Sequence, residues 1–154
     1  MEAIENELFF IENAKHFDLP QVVKILTKTH SDEVRNAAAL AISDLNGDTY
    51  LPELVKIIHK KSVKSKGTLI YALSMLSAEK YFKSISILLL DRNLEVHLET
   101  INFVRKFKKK VSIEDLNFTV NLIKENGENF FDKREKTRLL KVLDYQIKKH
   151  GENK

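Results

Sequence analysis

Apolar residues recur along this chain in sets that lie a fixed interval apart. Within each set the spacing is three or four residues, which is the spacing of one face of an α-helix. Leu51, Leu54, Ile57 and Ile58 are matched 31 residues later by Phe82, Ile85, Leu88 and Leu89. Repetition at a period of a few tens of residues is typical of stacked helix pairs. The sequence therefore predicts an all-α fold.

A second group of sets, offset from the first, repeats with the same period. It comprises Ala38, Ala39, Ala41, Ile42 and Leu45, then Leu69, Ile70, Ala72, Leu73 and Leu76, then Ile101, Phe103, Val104 and Phe107, with Thr100 as a polar mismatch. Ser31, Ser77 and Ser112 precede acidic residues and predict helix starts. We predict a single domain, 1–154, with helix pairs at about 2–28, 32–60, 63–90 and 93–126 and a final helix at about 131–149.

Two segments resemble the signature of HEAT repeats. Residues 32–41 read Asp-Glu-Val-Arg-Asn-Ala-Ala-Ala-Leu-Ala, and residues 51–54 read Leu-Pro-Glu-Leu. The resemblance implies an α-solenoid, a right-handed superhelix of about four and a half HEAT-like helix pairs whose second helices line a concave binding surface.

The resemblance also implies a ladder of aspartate and arginine side chains between neighbouring repeats. Asp32, Arg35 and Pro52 match the family pattern in one repeat. Lys66 and His97 stand where the later arginines are expected.

Composition excludes several classes of protein and site. The chain has no cysteine, which excludes disulfides, thiolate metal sites and a cysteine nucleophile. Its opening residues lack the basic start and apolar stretch of a secretory signal. The longest apolar runs, such as residues 87–90, are far shorter than the roughly 18 residues that span a membrane. We expect a soluble cytoplasmic protein without a membrane segment.

Charge is distributed unevenly along the chain. Residues 1–54 carry ten acidic and four basic side chains, a formal charge of −6, whereas residues 55–154 carry twelve acidic and 22 basic ones, a formal charge of +10. Two basic groups stand out, Arg105, Lys106, Lys108, Lys109 and Lys110, and then Lys133, Arg134, Lys136, Arg138 and Lys141. They indicate contact with an acidic protein or with phosphates. The alternative is a solvated surface with cations that stabilise a helix C-terminus.

Second-helix positions that remain after the core is assigned are candidates for partner contact. Alignment of the repeats places Ile87 at the position of Lys56 and Tyr81 at the position of Tyr50, and Phe118 is a further candidate. Exposed aromatic and apolar side chains beside charges are typical anchors of protein interfaces. A register error of one residue would instead place these side chains in the core.

No pattern of catalytic residues is evident. The five histidines show no i,i+4 pair and no companion at metal-ligand spacing, and we expect His97 to have an ordinary surface or packing role. The chain has neither a glycine-rich phosphate loop nor a Gly-x-Ser-x-Gly motif. We therefore predict a protein that is not an enzyme and that binds no metal and no cofactor.

Two functions follow from this resemblance and the charge distribution. The first is a protein-binding module, for which we favour a small bacterial immunity or antitoxin protein that neutralises a toxin domain by direct binding. The alternative is a nucleic-acid-binding protein resembling the HEAT-like alkylpurine DNA glycosylases, which the net charge of +4 favours. The acidic first third would repel a nucleic acid duplex, so the protein-binding hypothesis is preferred.

Overall fold

Helices and their connections make up the described chain. The computed structural model describes residues 2–152, and no strand occurs among them. Nine α-helices follow one another in that part of the chain: α1 (Glu2–Glu12), α2 (Leu19–Lys28), α3 (Asp32–Asp44), α4 (Leu51–Ile58), α5 (Gly67–Ser74), α6 (Phe82–Ser86), α7 (Leu94–Phe107), α8 (Ile113–Asn126) and α9 (Lys133–Glu152). The prediction of an all-α fold is confirmed. Of these helices, none combines the length and the apolar character that crossing a membrane requires.

Side-chain caps fix the first turns of several helices. Ser31 and Ser112, both predicted as helix starts, accept hydrogen bonds from the backbone N–H three residues further on. Asn93 does the same at the start of α7, a cap that the sequence analysis missed. Each oxygen satisfies an amide that has no partner within its own helix. The prediction that an α-helix starts after Ser77 was wrong. A 3-10 helix spans Glu79–Tyr81, and α6 begins only at Phe82.

Contacts divide the chain into two compact units, Met1–Ala78 and Glu79–Lys154, termed the N-terminal and C-terminal units below. In the N-terminal unit, α3 contacts α1, α2 and α5. Ala38 and Ala39 of α3 are fully buried, and their small side chains allow neighbouring helices to approach closely. Larger apolar residues complete this core, among them Ile42, Leu54, Ile58, Leu69 and Ile70.

In the C-terminal unit, α6 contacts α7 and α8, and α8 contacts α9. Phe103 lies at the centre of an aromatic cluster, with its ring centroid 6.2 Å from that of Phe82 and 4.6 Å from that of Phe107. Thr100, the polar mismatch in the repeat, is buried and donates a 2.7 Å hydrogen bond to the carbonyl oxygen of Val96. A threonine is therefore compatible with this apolar surface, because its hydroxyl is satisfied within the helix.

The second helix of the third predicted pair changes its geometry midway. The α-helix ends at Ser86, and residues Ile87–Leu90 continue as a 3-10 helix. The burial pattern of the repeat nevertheless continues through this segment, since Leu88 and Leu89 are buried as Ile57 and Ile58 are. Ile87 is exposed, as is Lys56, the residue at the matching repeat position.

Candidate partner-binding site

The structure distributes the predicted aromatic and apolar contact residues over both units. In the N-terminal unit, Tyr50 is half-buried next to the first residue of α4, and Lys56 is exposed on that helix. In the C-terminal unit, Tyr81 and Phe118 are half-buried, whereas Ile87 is 47% exposed. A lysine ammonium lies 5.2 Å from the ring centroid of Tyr81, and another lies 4.9 Å from that of Phe118. A binding role for these five residues stays a prediction.

The predicted basic run at the end of α7 divides into two kinds of side chain. Lys108 is half-buried, and its Nζ donates a 3.0 Å hydrogen bond to the carbonyl oxygen of Arg105. Lys109 and Lys110 are exposed, and Lys110 Nζ lies 5.7 Å from the ring centroid of Phe107. Lys108 thus stabilises a helix C-terminus, as a cation does there. The exposed side chain of Arg105 instead lines a cleft.

Arg105 lines an open cleft between α7 and the start of α9. The cleft has a volume of about 390 Å³ and is termed the arginine cleft below. It is lined by Leu98, Ile101, Asn102, Arg105, Asp132, Arg134, Glu135 and Arg138. Three of the residues predicted to be basic and exposed therefore meet at one site, although they come from two helices.

The three guanidinium groups of the arginine cleft form no salt bridge in the part of the chain that the structure describes. The salt bridges found in residues 2–152 join Arg35 to Asp32 and His97 to Glu135. Arg105, Arg134 and Arg138 are exposed and form no salt bridge within that part of the chain. Their hydrogen-bond donors are therefore open to an external ligand.

Both carboxylates in the arginine cleft are already bound elsewhere. Asp132 lies just before α9, and its Oδ1 accepts a 2.9 Å hydrogen bond from the backbone N–H of Glu135. This bond caps the first turn of α9. The Oε1 of Glu135 lies 2.7 Å from Nε2 of His97. Each acid is thus held by the fold instead of by an arginine.

His97 is fixed on three sides. Its side chain is buried, its Nδ1 lies 2.7 Å from the carbonyl oxygen of Leu89, and its ring meets that of Phe131 edge to face with 4.6 Å between centroids. A carbonyl oxygen only accepts, so Nδ1 must carry a hydrogen. The contact with Glu135 then needs a second hydrogen, on Nε2 or on the carboxyl group. In either arrangement the bonded pair has no net charge, so Glu135 does not neutralise the arginines.

His97 has the same structural role as Arg35, which lies 62 residues earlier at the matching repeat position. Both lie in the first turn of a helix that begins with a side-chain cap, from Ser31 or Asn93. Arg35 Nη2 donates to the carbonyl oxygen of Thr29, which precedes α3, just as His97 reaches back to a carbonyl before α7. Both residues anchor a helix start to the preceding segment.

The sequence analysis allowed a packing role for His97 but missed its partner. Glu135 lies 38 residues further on, outside the repeat pattern, so no local spacing connects the two. The available signal was the alignment that placed His97 at an arginine position. The i,i+4 spacing of Arg134 and Arg138 was a further signal, since it places both on one face of α9.

His97 itself lines a second open cleft. It measures about 420 Å³ and is lined by Asp91, Arg92, Leu94, His97, Asn129 and Phe130. The Oδ1 of Asp91 accepts a 2.8 Å hydrogen bond from the backbone N–H of Asn93. Here a single arginine, Arg92, provides the positive charge. The arginine cleft is therefore the more strongly cationic of the two sites.

Neither a metal site nor a similarity to known proteins indicates a function. No group of three or more histidine, aspartate or glutamate side chains in residues 2–152 is arranged to hold a metal ion. Comparison with protein-family models, with curated proteins and with solved structures finds no match. Function must therefore be argued from the geometry of the chain itself.

Proposed function

We propose that the protein is a protein-binding module of the HEAT-like α-solenoid type, and that its C-terminal unit grips a partner with an acidic surface. The observation that carries this proposal is the convergence of Arg105, Arg134 and Arg138 on one open cleft, where none of them has an ion partner among residues 2–152. The whole C-terminal unit has a formal charge of +5, with 17 basic and twelve acidic residues. Such a surface steers and orients an acidic partner.

Apolar surface beside the arginines supports a protein partner. Leu98 lines the same cleft and is 42% exposed, and Leu94 on the same helix is 69% exposed. Arginine is enriched in protein interfaces, and the buried centre of an interface is more apolar than the rest of the protein surface. Within this function we propose neutralisation of a toxin by direct binding. Co-expression with the captured partner would show whether that partner is toxic alone and harmless together with this protein.

Affinity capture followed by reconstitution tests the proposal. The tagged protein is incubated with nuclease-treated lysate of its source, washed at low and at moderately high salt, and the retained proteins are identified by mass spectrometry. A single protein that is retained and then binds stoichiometrically when purified supports the module. Retention of nothing after nuclease treatment, together with binding of oligonucleotides that weakens steeply as salt rises, would contradict it and favour nucleic acid.

A further inference from the structure

We infer that the arginine cleft is a carboxylate-binding site for an acidic segment with an apolar anchor, and that the His97–Glu135 hydrogen bond keeps this site open. The inference rests on the proposed function, since it names the chemistry of the partner and the residues that read it. Three features of the cleft support it: the arginines, the remaining lining and the position of Glu135.

The guanidinium groups match carboxylates in number and geometry. Each presents five N–H donors in a planar fork that binds a carboxylate through two parallel hydrogen bonds. Arg134 and Arg138 lie four residues apart on one face of α9, and Arg105 approaches from α7. Three such groups around a cleft of about 390 Å³ can bind two or more carboxylates of one extended segment.

The remaining lining favours a peptide over a nucleic acid strand. Leu98 and Ile101 provide an apolar wall, and Asn102 provides an amide that can bond a peptide backbone. Single-stranded nucleic acids are usually bound by aromatic side chains that stack on the bases. The residues that line the cleft include no aromatic ring. The fitting ligand thus combines acidic side chains with an aliphatic one.

Glu135 is a potential internal competitor for this ligand. It lies three residues before Arg138 on α9, a spacing at which a glutamate and an arginine form an ion pair. In the structure its carboxyl group is bonded to His97 instead. His97 in turn is held by Leu89 and Phe131. His97 is therefore a positioning residue, because it holds the carboxyl group of Glu135 away from the arginines.

Peptide titration tests the ligand chemistry. A fluorescent peptide of alternating glutamate and leucine is titrated with the full chain, beside one peptide with glutamine for glutamate, one with serine for leucine, and a single-stranded oligonucleotide of equal charge. We expect saturable binding of the first peptide, at least about tenfold tighter than that of any other probe. Equal or tighter binding of the oligonucleotide, or no binding of the first peptide, overturns the inference.

Arginine variants locate the site. The triple variant Arg105→Gln, Arg134→Gln, Arg138→Gln should lose at least about tenfold in affinity for the acidic peptide. Arg92→Gln is the matched control, because Arg92 is an exposed arginine of the same unit outside this cleft. Equal losses in the triple variant and the control would overturn the assignment to the arginine cleft.

A rescue experiment tests the role of His97. His97→Gln should weaken peptide binding, because Glu135 is then free to pair with the arginines. The double variant His97→Gln, Glu135→Gln should restore binding, because the side chain at position 135 then carries no charge. Glu135→Gln alone should bind the peptide at least as tightly as the unaltered chain. A loss in Glu135→Gln alone, or a folded double variant that stays weak, overturns the positioning role. Circular dichroism establishes that each variant is folded.

Failure of this inference differs from failure of the proposed function. A captured partner that binds the triple arginine variant as well as the unaltered chain would overturn the arginine cleft as its site and leave the protein-binding function intact. Absence of any captured partner would contradict the function itself.

Discussion

The Nε2 of His97 lies 2.7 Å from Oε1 of Glu135, and this contact joins the first turn of α7 to the first turn of α9. The side chain of His97 is 5% exposed and that of Glu135 is 29% exposed. A hydrogen bond in such buried surroundings stabilises the fold more than one exposed to water, and a buried polar group left without its partner destabilises it.

Removal of the carboxyl group should therefore destabilise the fold. Glu135→Ala leaves the Nε2 of His97 buried without its partner, and we expect the free energy of unfolding to fall by about 1–3 kcal/mol. Urea denaturation measures the difference. Glu95→Ala is the matched control, since Glu95 is exposed in the first turn of α7. A loss no greater than in the control would show that the contact contributes little in solution.

The turn after α3 leads to a second prediction. Asn46 has φ of 55°, and the backbone N–H groups of Asn46 and Gly47 donate to the carbonyl oxygens of Ser43 and Ile42. This is the Schellman motif that ends a helix with a left-handed residue. A Cβ on Gly47 would lie 2.7 Å from Cγ2 and 2.9 Å from the carbonyl oxygen of Ile42.

Because one of those two atoms belongs to the backbone, Gly47→Ala forces the turn to move. We expect a loss of about 1–3 kcal/mol in the free energy of unfolding. Asn46→Gly is the matched control, because glycine adopts the left-handed conformation freely. Thermal unfolding of both variants should show a lower Tm for Gly47→Ala only. Equal Tm values would mean that the turn adapts without cost.

The sequence predicted local structure well and long-range contacts poorly. The three- and four-residue spacing of apolar side chains, together with caps such as Ser31, predicted helices because both signals depend on neighbouring residues. Arg105 was predicted as an exposed cation, and so were Arg134 and Arg138, but their convergence depends on how α7 and α9 lie on either side of the cleft. No spacing in the sequence predicts that arrangement. The bond from His97 to Glu135 was missed for the same reason.

Arg35 allows a test of the shared anchoring role. Its side chain is buried, pairs with Asp32 and donates a 3.2 Å hydrogen bond to the carbonyl oxygen of Thr29. Arg35→Ala removes both contacts and the packing of the aliphatic stem, and we expect the unfolding free energy to fall by about 1–3 kcal/mol. Arg92→Ala, at an exposed position, should change it by less than about 0.5 kcal/mol. Equal effects in chemical denaturation would contradict a structural role for Arg35.

The pH dependence of stability should carry a contribution from His59. Partial burial, and to a lesser degree the charge of Lys66, lowers the pKa of His59 below its usual 6.5. The unfolded chain therefore takes up a proton on this ring more readily than the folded chain as the pH falls. The stabilising contribution is complete above about pH 6.5 and is lost as the pH falls towards the lower pKa of the folded state.

His59→Asn removes this titration and tests its sign. Unfolding free energies of both proteins are measured by urea denaturation between about pH 7.5 and pH 5. The unaltered chain should lose more stability over this range than His59→Asn, because only the unaltered chain can protonate at this position. Lys66→Gln should reduce the difference only in part, since burial is the larger cause of the lowered pKa. Parallel curves for the unaltered chain and His59→Asn would mean that the ring titrates equally in both states, and a steeper loss in His59→Asn would mean that folding raises its pKa.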